Sequence, residues 1–386
     1  MSTSPAAHRA VVERRALASG AGAVRVTTAD DDPLTFERMR AAFASESFAA
    51  WGYDEDYAAR ASSPQSLLPG ARSVVCVAVP YATPAPDGRE QPLHGRVSNY
   101  AWSGDYHRRV REILGDVART IDELAGAPAC AIVCDTAPLA ERAFAARAGL
   151  GWAGKHTNLI VPGLGSFVFL GELVTTLELA PDPPLRKTCG SCSRCVSACP
   201  TGALRGDYSI DAARCISDLT QRTGAVPRAL RPLVGDWVWG CDLCQDVCPP
   251  TSRAGRSAPS RFAPIAPQAA RPDLLALLSL RSSTFKRLYR KTAIGWRGAA
   301  VLRRNAAIAL GNALDRASVP ALSHAVADDP HPLVRGHAAW ALGRIGSPTA
   351  WAALRARRGT EREASVLEEI DAALTALGNI PASHGV

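Results

Sequence analysis

Eight cysteines between Cys189 and Cys248 decide what can hold that part of the chain together. Four fall within eleven residues as Cys189-x2-Cys192-x2-Cys195-x3-Cys199-Pro200. The rhythm returns in displaced form as Cys215 followed by Cys241-x2-Cys244-x3-Cys248-Pro249. In bacterial ferredoxins this spacing sets three thiolates on one [4Fe-4S] cube and sends the fourth across to a second cube. The count closes with Cys189, Cys192, Cys195 and Cys248 on one cube and Cys199, Cys215, Cys241 and Cys244 on the other. Structural zinc is the rival, but zinc is satisfied by four ligands in two pairs and does not require the Cys-Pro ending twice.

The rest of the composition is that of an ordinary folded protein. The chain has 386 residues, 47% of them hydrophobic and 21% charged, enough for two or three domains with real cores. No apolar run reaches the roughly 18 residues of a membrane helix, and the first residues show neither a signal peptide nor a twin-arginine motif. A cytoplasmic protein with no membrane partner is expected. Disulfides are not expected in that compartment, so metal ligation is the reason for the cysteine spacing. Cys76, Cys130 and Cys134 stand apart in apolar runs and read as small buried hydrophobes.

Three regions follow. Over 1–180, strand-like runs such as "SVVCVAVPY", "ACAIVC" and "SFVFLGELVT" alternate with helical ones such as "YHRRVREILGDVARTIDELAG", predicting an α/β sheet domain inside an α+β protein. Over 181–252 the cysteines dominate and periodicity is weak, predicting a ferredoxin-like two-cluster domain. Over 271–386 the pattern is helical, and a shift of 32 residues lays "RRNAAIALGN" (303–312) on "RGHAAWALGR" (335–344), with a weaker third copy ending near Leu374. Such two-helix units bury their apolar faces only by stacking, as HEAT repeats do.

Between Arg271 and Arg316 ten Lys or Arg face two acids, a net of +8 that equals the formal excess of the whole chain. With Phe285, Tyr289 and Trp296 interleaved, this reads as a footprint for a phosphate backbone, and Lys286, Arg287, Arg290, Lys291, Arg303 and Arg304 are its candidate contacts. A solvated basic face is the plainer alternative.

Paired clusters conduct electrons, and the large first region should hold what receives them. No GxGxxG follows a strand there, so a nicotinamide or flavin Rossmann site is not indicated. The chain resembles the epoxyqueuosine reductases. The likeness runs through "SLLPGARSVVCVAVPY", "YAWSGDYH", "CDTAPLAERAFAARAGLGWAGKHTNLI", "GSFVFLGEL", both cysteine motifs with "RCISDLTQ" between them, and the two repeat segments.

That resemblance implies a cobalamin seated between the sheet domain and the clusters and reduced by them to Co(I). It also implies cleavage of the epoxide carbon–oxygen bond of epoxyqueuosine in a tRNA anticodon. Two electrons and two protons enter, and the oxygen leaves as water. An external donor such as a flavodoxin or ferredoxin and a monomeric enzyme are the matching expectations. Asp135 occupies the family's proton-donor position. At the end of an apolar strand its carboxyl would be desolvated enough to keep a proton, while the plainer alternative makes it a helix N-cap.

Arg60, Ser98, Asn158, Leu159, Leu170 and Ser217 fall with Asp135 where the family wraps the corrin, and each could equally be scaffold. "DYHRRV" nearly spells the DxHxxG of proteins that ligate cobalt through histidine, but Val110 replaces the glycine, so His107 is not expected to be a ligand. Asp218 and Pro250-Thr251 depart from the family pattern. A reductive dehalogenase and a non-catalytic iron-sulfur electron carrier are the competing readings.

Overall fold

A strand that is apolar along its whole length must be covered on both sides, and "SVVCVAV" is such a run. In the computed structural model, which describes residues 4–84, 92–256 and 262–378, Ser73–Pro80 is buried from Ser73 through Val79. It lies inside a four-stranded sheet ordered Ala23–Thr28, Ser73–Pro80, Val168–Thr175, Cys130–Val133. All three pairings are antiparallel. The sheet domain is therefore α+β in character, and the α/β expectation is corrected: its helices do not serve as crossovers between parallel strands.

The long helix Tyr106–Ala125 covers one face. It buries Val110, Ile113, Leu114, Val117 and Ile121, a stripe at helical spacing. It starts on the Asp105 side chain, which accepts the His107 N–H, and stops at Gly126 in the left-handed conformation. Gly171 lets it approach, since a methyl group there would stand 2.7 Å from Val110. Helix Glu141–Arg147 covers the opposite face, where Phe144 and Ala145 pack with Val74, Cys76, Val133 and Val174. The segment Gly149-x-Gly151-x-x-Gly154 follows this helix, not a strand. It turns into a hairpin pairing Trp152–Ala153 with Leu159–Ile160.

The cysteine segments are built from short helices, Arg194–Ala198 carrying Cys195 and Leu243–Asp246 carrying Cys244. Cys248 is the N-cap of Pro249–Ala254, with Pro249 at a position where its missing N–H costs nothing.

The chain forms two compact units that do not follow the three-region division of the sequence. One comprises 1–84, 105–215 and 242–263, and the other 85–104, 216–241 and 264–386. The two-cluster segment is thus not a compact body of its own. The outer ends of the first and third sequence regions, 1–3 and 379–386, lie outside the described residues.

In the second unit the repeat is realised as helices Ala299–Ala313, Pro332–Ile345 and Ala364–Gly378, alternating with Val319–Asp328 and Pro348–Arg358. Gly311 and Gly343, 32 residues apart, sit where consecutive repeats touch: a methyl at the first would be 2.7 Å from Trp340, and at the second 2.7 Å from Ala373. Among the described residues no helix is long and apolar enough to cross a membrane.

Candidate active site

Strand Cys130–Val133 ends in a turn that puts Asp135 at φ +60°, a left-handed conformation that aspartate tolerates better than most side chains. The turn is tied at its start by Glu141, whose Oε1 accepts the Asp135 N–H at 2.7 Å, and near its end by Ala140 N–H donating to Ala61 O at 2.8 Å. The N-cap of helix Glu141–Arg147 is Ala140, so the capping alternative for Asp135 does not hold.

The Asp135 side chain instead meets helix Tyr106–Ala125, its Oδ2 3.2 Å from His107 Nε2. His107 Nδ1 is 2.7 Å from Asp105 Oδ1, so both ring nitrogens face carboxylates. The hydrogen bond to Asp135 raises the His107 pKa above its ordinary value, and the bond to His107 lowers that of Asp135. The Asp135 side chain is 60% accessible, which leaves desolvation the weaker influence. Against the expectation of a proton held by burial, the His107 contact outweighs desolvation and lowers the Asp135 pKa. Tyr106 also bonds Asp135 and stacks on Phe169 with centroids 4.1 Å apart. Tyr53 and Tyr57, 4.7 Å apart, have pKa values raised first by burial, with the Asp135 charge adding to both and Tyr53 adding to Tyr57. This aromatic rim was absent from the sequence expectations, although two tyrosines four apart, Tyr53 just before and Tyr57 within helix Glu55–Ala61, were its available signal.

Other predicted contacts gather near this turn. Arg60 is exposed on helix Glu55–Ala61, whose last residue binds Ala140. Arg142 Nη1 donates to Thr157 O at 3.3 Å, tying the Glu141 helix to the hairpin turn at Asn158. Leu159 and Leu170 pack in the same apolar cluster beneath. Ser98 and Ser217 belong to the second unit. Ser98 is buried against Gly240, and Ser217 Oγ accepts from Gln221. Arg60 and Asp135 are open to a bound group beside the turn, and both His107 nitrogens already face carboxylates, which fits a corrinoid held without a histidine ligand.

One of the two predicted cysteine groups is partly assembled. Cys189 packs with Cys248, and the Cys195 thiol is raised first by burial and then by neighbouring Cys189 and Cys248. Three of the four predicted ligands of one cube thus converge. Cys192 N–H donates to Cys189 O at 3.1 Å in the same loop. Cys199 ends helix Arg194–Ala198, Cys215 ends the turn Ala212–Arg214, and Cys241 directly follows Gly240. The remaining cysteines behave as expected where buried: Cys76 and Cys134 are solvent-free with thiols pushed up by burial, while Cys130 is half-buried and pushed up to about 11.

The basic stretch divides. Lys286, Arg287, Arg290 and Lys291 are exposed and form no ion pair among the described residues. Arg303 and Arg304 are corrected. Arg303 is 8% exposed, clasped by the Asp329 carboxylate at 2.7 and 3.1 Å and by Leu280 O. Arg304 is fully buried and donates to the carbonyls of Leu219, Arg222 and Gly224. Neither can reach a phosphate. The departures from the family pattern have structural employment: Asp218 pairs with Arg222, and Thr251 Oγ1 accepts the Ser166 N–H at 3.0 Å.

Comparison with known proteins gives three family matches. They are a 4Fe-4S double cluster binding domain over 188–251, epoxyqueuosine reductase QueG (DUF1730) over 61–136, and HEAT repeats over 298–377. The epoxyqueuosine reductase of Bacillus cereus is 36% identical over 330 residues, covering 84% of this chain and 86% of that protein. That of Salmonella typhimurium is 39% identical over 287 residues, covering 73% and 74%. A crystal structure of epoxyqueuosine reductase with an epoxyqueuosine-modified tRNA-Tyr stem loop superposes with a TM-score of 0.89 at 31% identity, covering 96% of this chain and 98% of that one. The Bacillus subtilis enzyme, solved with its catalytic aspartate loop swung out of the active site, gives 0.89 at 31%, covering 95% and 98%.

Proposed function

Because this chain belongs to the epoxyqueuosine reductase family, we propose that it reduces epoxyqueuosine to queuosine at the wobble position of tRNA, the last step of queuosine biosynthesis. The observation that carries this reading is the Asp135–His107 contact, a proton-bearing pair held open on the sheet domain of a chain that also carries the double-cluster motif. The balance is two electrons and two protons in, the epoxide carbon–oxygen bond broken, the oxygen leaving as water and a cyclopentene left behind.

Cobalamin, when bound and reduced to Co(I), supplies the strongly reducing centre that this bond cleavage requires. Arg60, Asp135, Asn158, Leu159 and Leu170 are the residues of the sheet domain that would hold it. Cys189, Cys192, Cys195 and Cys248 would hold one [4Fe-4S] cube and Cys199, Cys215, Cys241 and Cys244 the other, fed by an external donor of the flavodoxin or ferredoxin class.

The protein's own part in the chemistry is proton delivery. Asp135 would hand a proton to the departing oxygen, and His107, whose Nε2 lies 3.2 Å from Asp135 Oδ2, would replenish it. Tyr53, Tyr57 and Tyr106 form an aromatic rim beside Asp135. On the substrate side, exposed Lys286, Arg287, Arg290 and Lys291 would meet the phosphates of the anticodon arm, in keeping with the stem loop held by a solved relative. A tRNA substrate places this work in the cytoplasm.

The reading is tested by nucleoside mass spectrometry of tRNA from a strain lacking the gene. Epoxyqueuosine should accumulate, and the intact gene should clear it. Unchanged nucleosides in a queuosine-making host would overturn the assignment.

A further inference from the structure

Beneath the Asp135 turn two carboxyl groups meet with no cation between them. Glu172 is fully buried in strand Val168–Thr175, beside Cys76 and Val133 across the sheet. Neither of its carboxyl oxygens receives an N–H or O–H from the described residues. The group it faces is the carboxyl of Glu141, the first residue of helix Glu141–Arg147. The other side of Glu141 is occupied, since its Oε1 accepts the Asp135 N–H at 2.7 Å.

Two bare carboxylates cannot share an apolar pocket, but one proton between them turns the opposition into a hydrogen bond and leaves a single charge. We infer that Glu172 and Glu141 form a proton-sharing carboxyl pair that latches the Asp135 turn in its left-handed conformation. They are positioning residues for the reaction proposed above, and that role rests on the proton-donor reading of Asp135. The latch itself is a property of the folded chain whatever Asp135 does.

Burial is the main cause that pushes Glu141 up to about 7 and Glu172 well above the usual carboxyl range. The groups acting on the pair are Cys76 from its strand, Cys134 and Asp135 from the turn, Tyr57 from helix Glu55–Ala61, and Arg142 from the Glu141 helix, whose other cation, Arg147, acts on Cys76. A carboxyl raised in this way favours the folded arrangement at low pH and loses that contribution as pH rises through its folded value. The latch therefore loosens on the alkaline side, as the pair gives up its shared proton.

Hydrogen exchange of the anaerobically purified holoenzyme, followed in the peptide spanning Cys134 to Ala137 across pH, tests this. In E141A that amide should exchange roughly ten- to a hundredfold faster, the loss expected for a hydrogen bond to a charged acceptor. E141Q, which keeps an acceptor oxygen, should restore most of the protection. E172Q replaces the shared proton by a permanent N–H donor and should keep protection while abolishing its alkaline loss. Turnover in E141A should fall in kcat with KM for tRNA unchanged. Unaltered protection in folded E141A, or an alkaline loosening that persists in E172Q, would overturn the latch. D135N retains the backbone N–H and should exchange normally, so failure of the donor reading shows in its turnover and failure of the latch in E141A exchange.

Discussion

The Asp135–His107 contact, with its opposed pKa shifts, predicts a pH dependence of turnover. A histidine raised by its partner keeps its contribution below the ordinary value of ~6.5 and loses it as pH rises through the higher folded value. An aspartate lowered by the same contact keeps its contribution above ~3.9 and loses it as pH falls through the lower folded value. Turnover should therefore fall on the alkaline side, and in H107Q only the alkaline loss set by the Glu141–Glu172 pair should remain. D135N should retain both cofactor signatures yet lose turnover by about 100-fold or more. Normal turnover in that variant would end the donor assignment. The position of Asp135 was legible from its motif; its ionisation was not. The partner that decides it comes from a helix 28 residues upstream, a distance over which local polarity says nothing about contact.

At the scale of elements, the 32-residue repeat carries more than apolar packing. Arg303 pairs with Asp329, and one repeat later Arg335 pairs with Glu361, each across 26 residues. Counting charge along 271–316 treated Arg303 as a free cation, whereas the shift that reveals the repeat also superposes these two pairs. Arg335 and Glu361 are almost wholly enclosed, and the guanidinium holds the Glu361 carboxyl well below its usual range. R335A removes two charge-assisted hydrogen bonds but leaves Glu361 paired with Arg357, so it should lose about 2 kcal/mol of repeat stability, measured by denaturant unfolding. Less than about 1 kcal/mol would show that the pair contributes no more than a surface bridge. The exposed quartet behaves differently. Reversing Lys286, Arg287 and Arg290 should leave stability near wild type, weaken tRNA binding and flatten its log–log salt slope by roughly 2 units. An unchanged slope would return this helix to ordinary solvated surface.

For the whole molecule, the cysteine rhythm announced the iron-sulfur clusters because ligand spacing is a local constraint, whereas the order of the sheet strands, which pairs Ser73 with Thr175, is not. Anaerobic protein should carry about eight irons per chain, and C195S about four, since Cys195 converges with Cys189 and Cys248 on one cube. Wild-type iron content in C195S would dismantle the ligand assignment.

The repeat pairs have a directional consequence. Asp329 grips Arg303 with its carboxylate while its carbonyl oxygen accepts from Arg335, and Arg335 leans in turn on Glu361. Each rung is fastened by the one that follows it. Under mechanical load or protease attack the solenoid should peel from its carboxyl-terminal rung toward Ala299, and a cut before Glu361 should loosen rungs whose own residues are untouched.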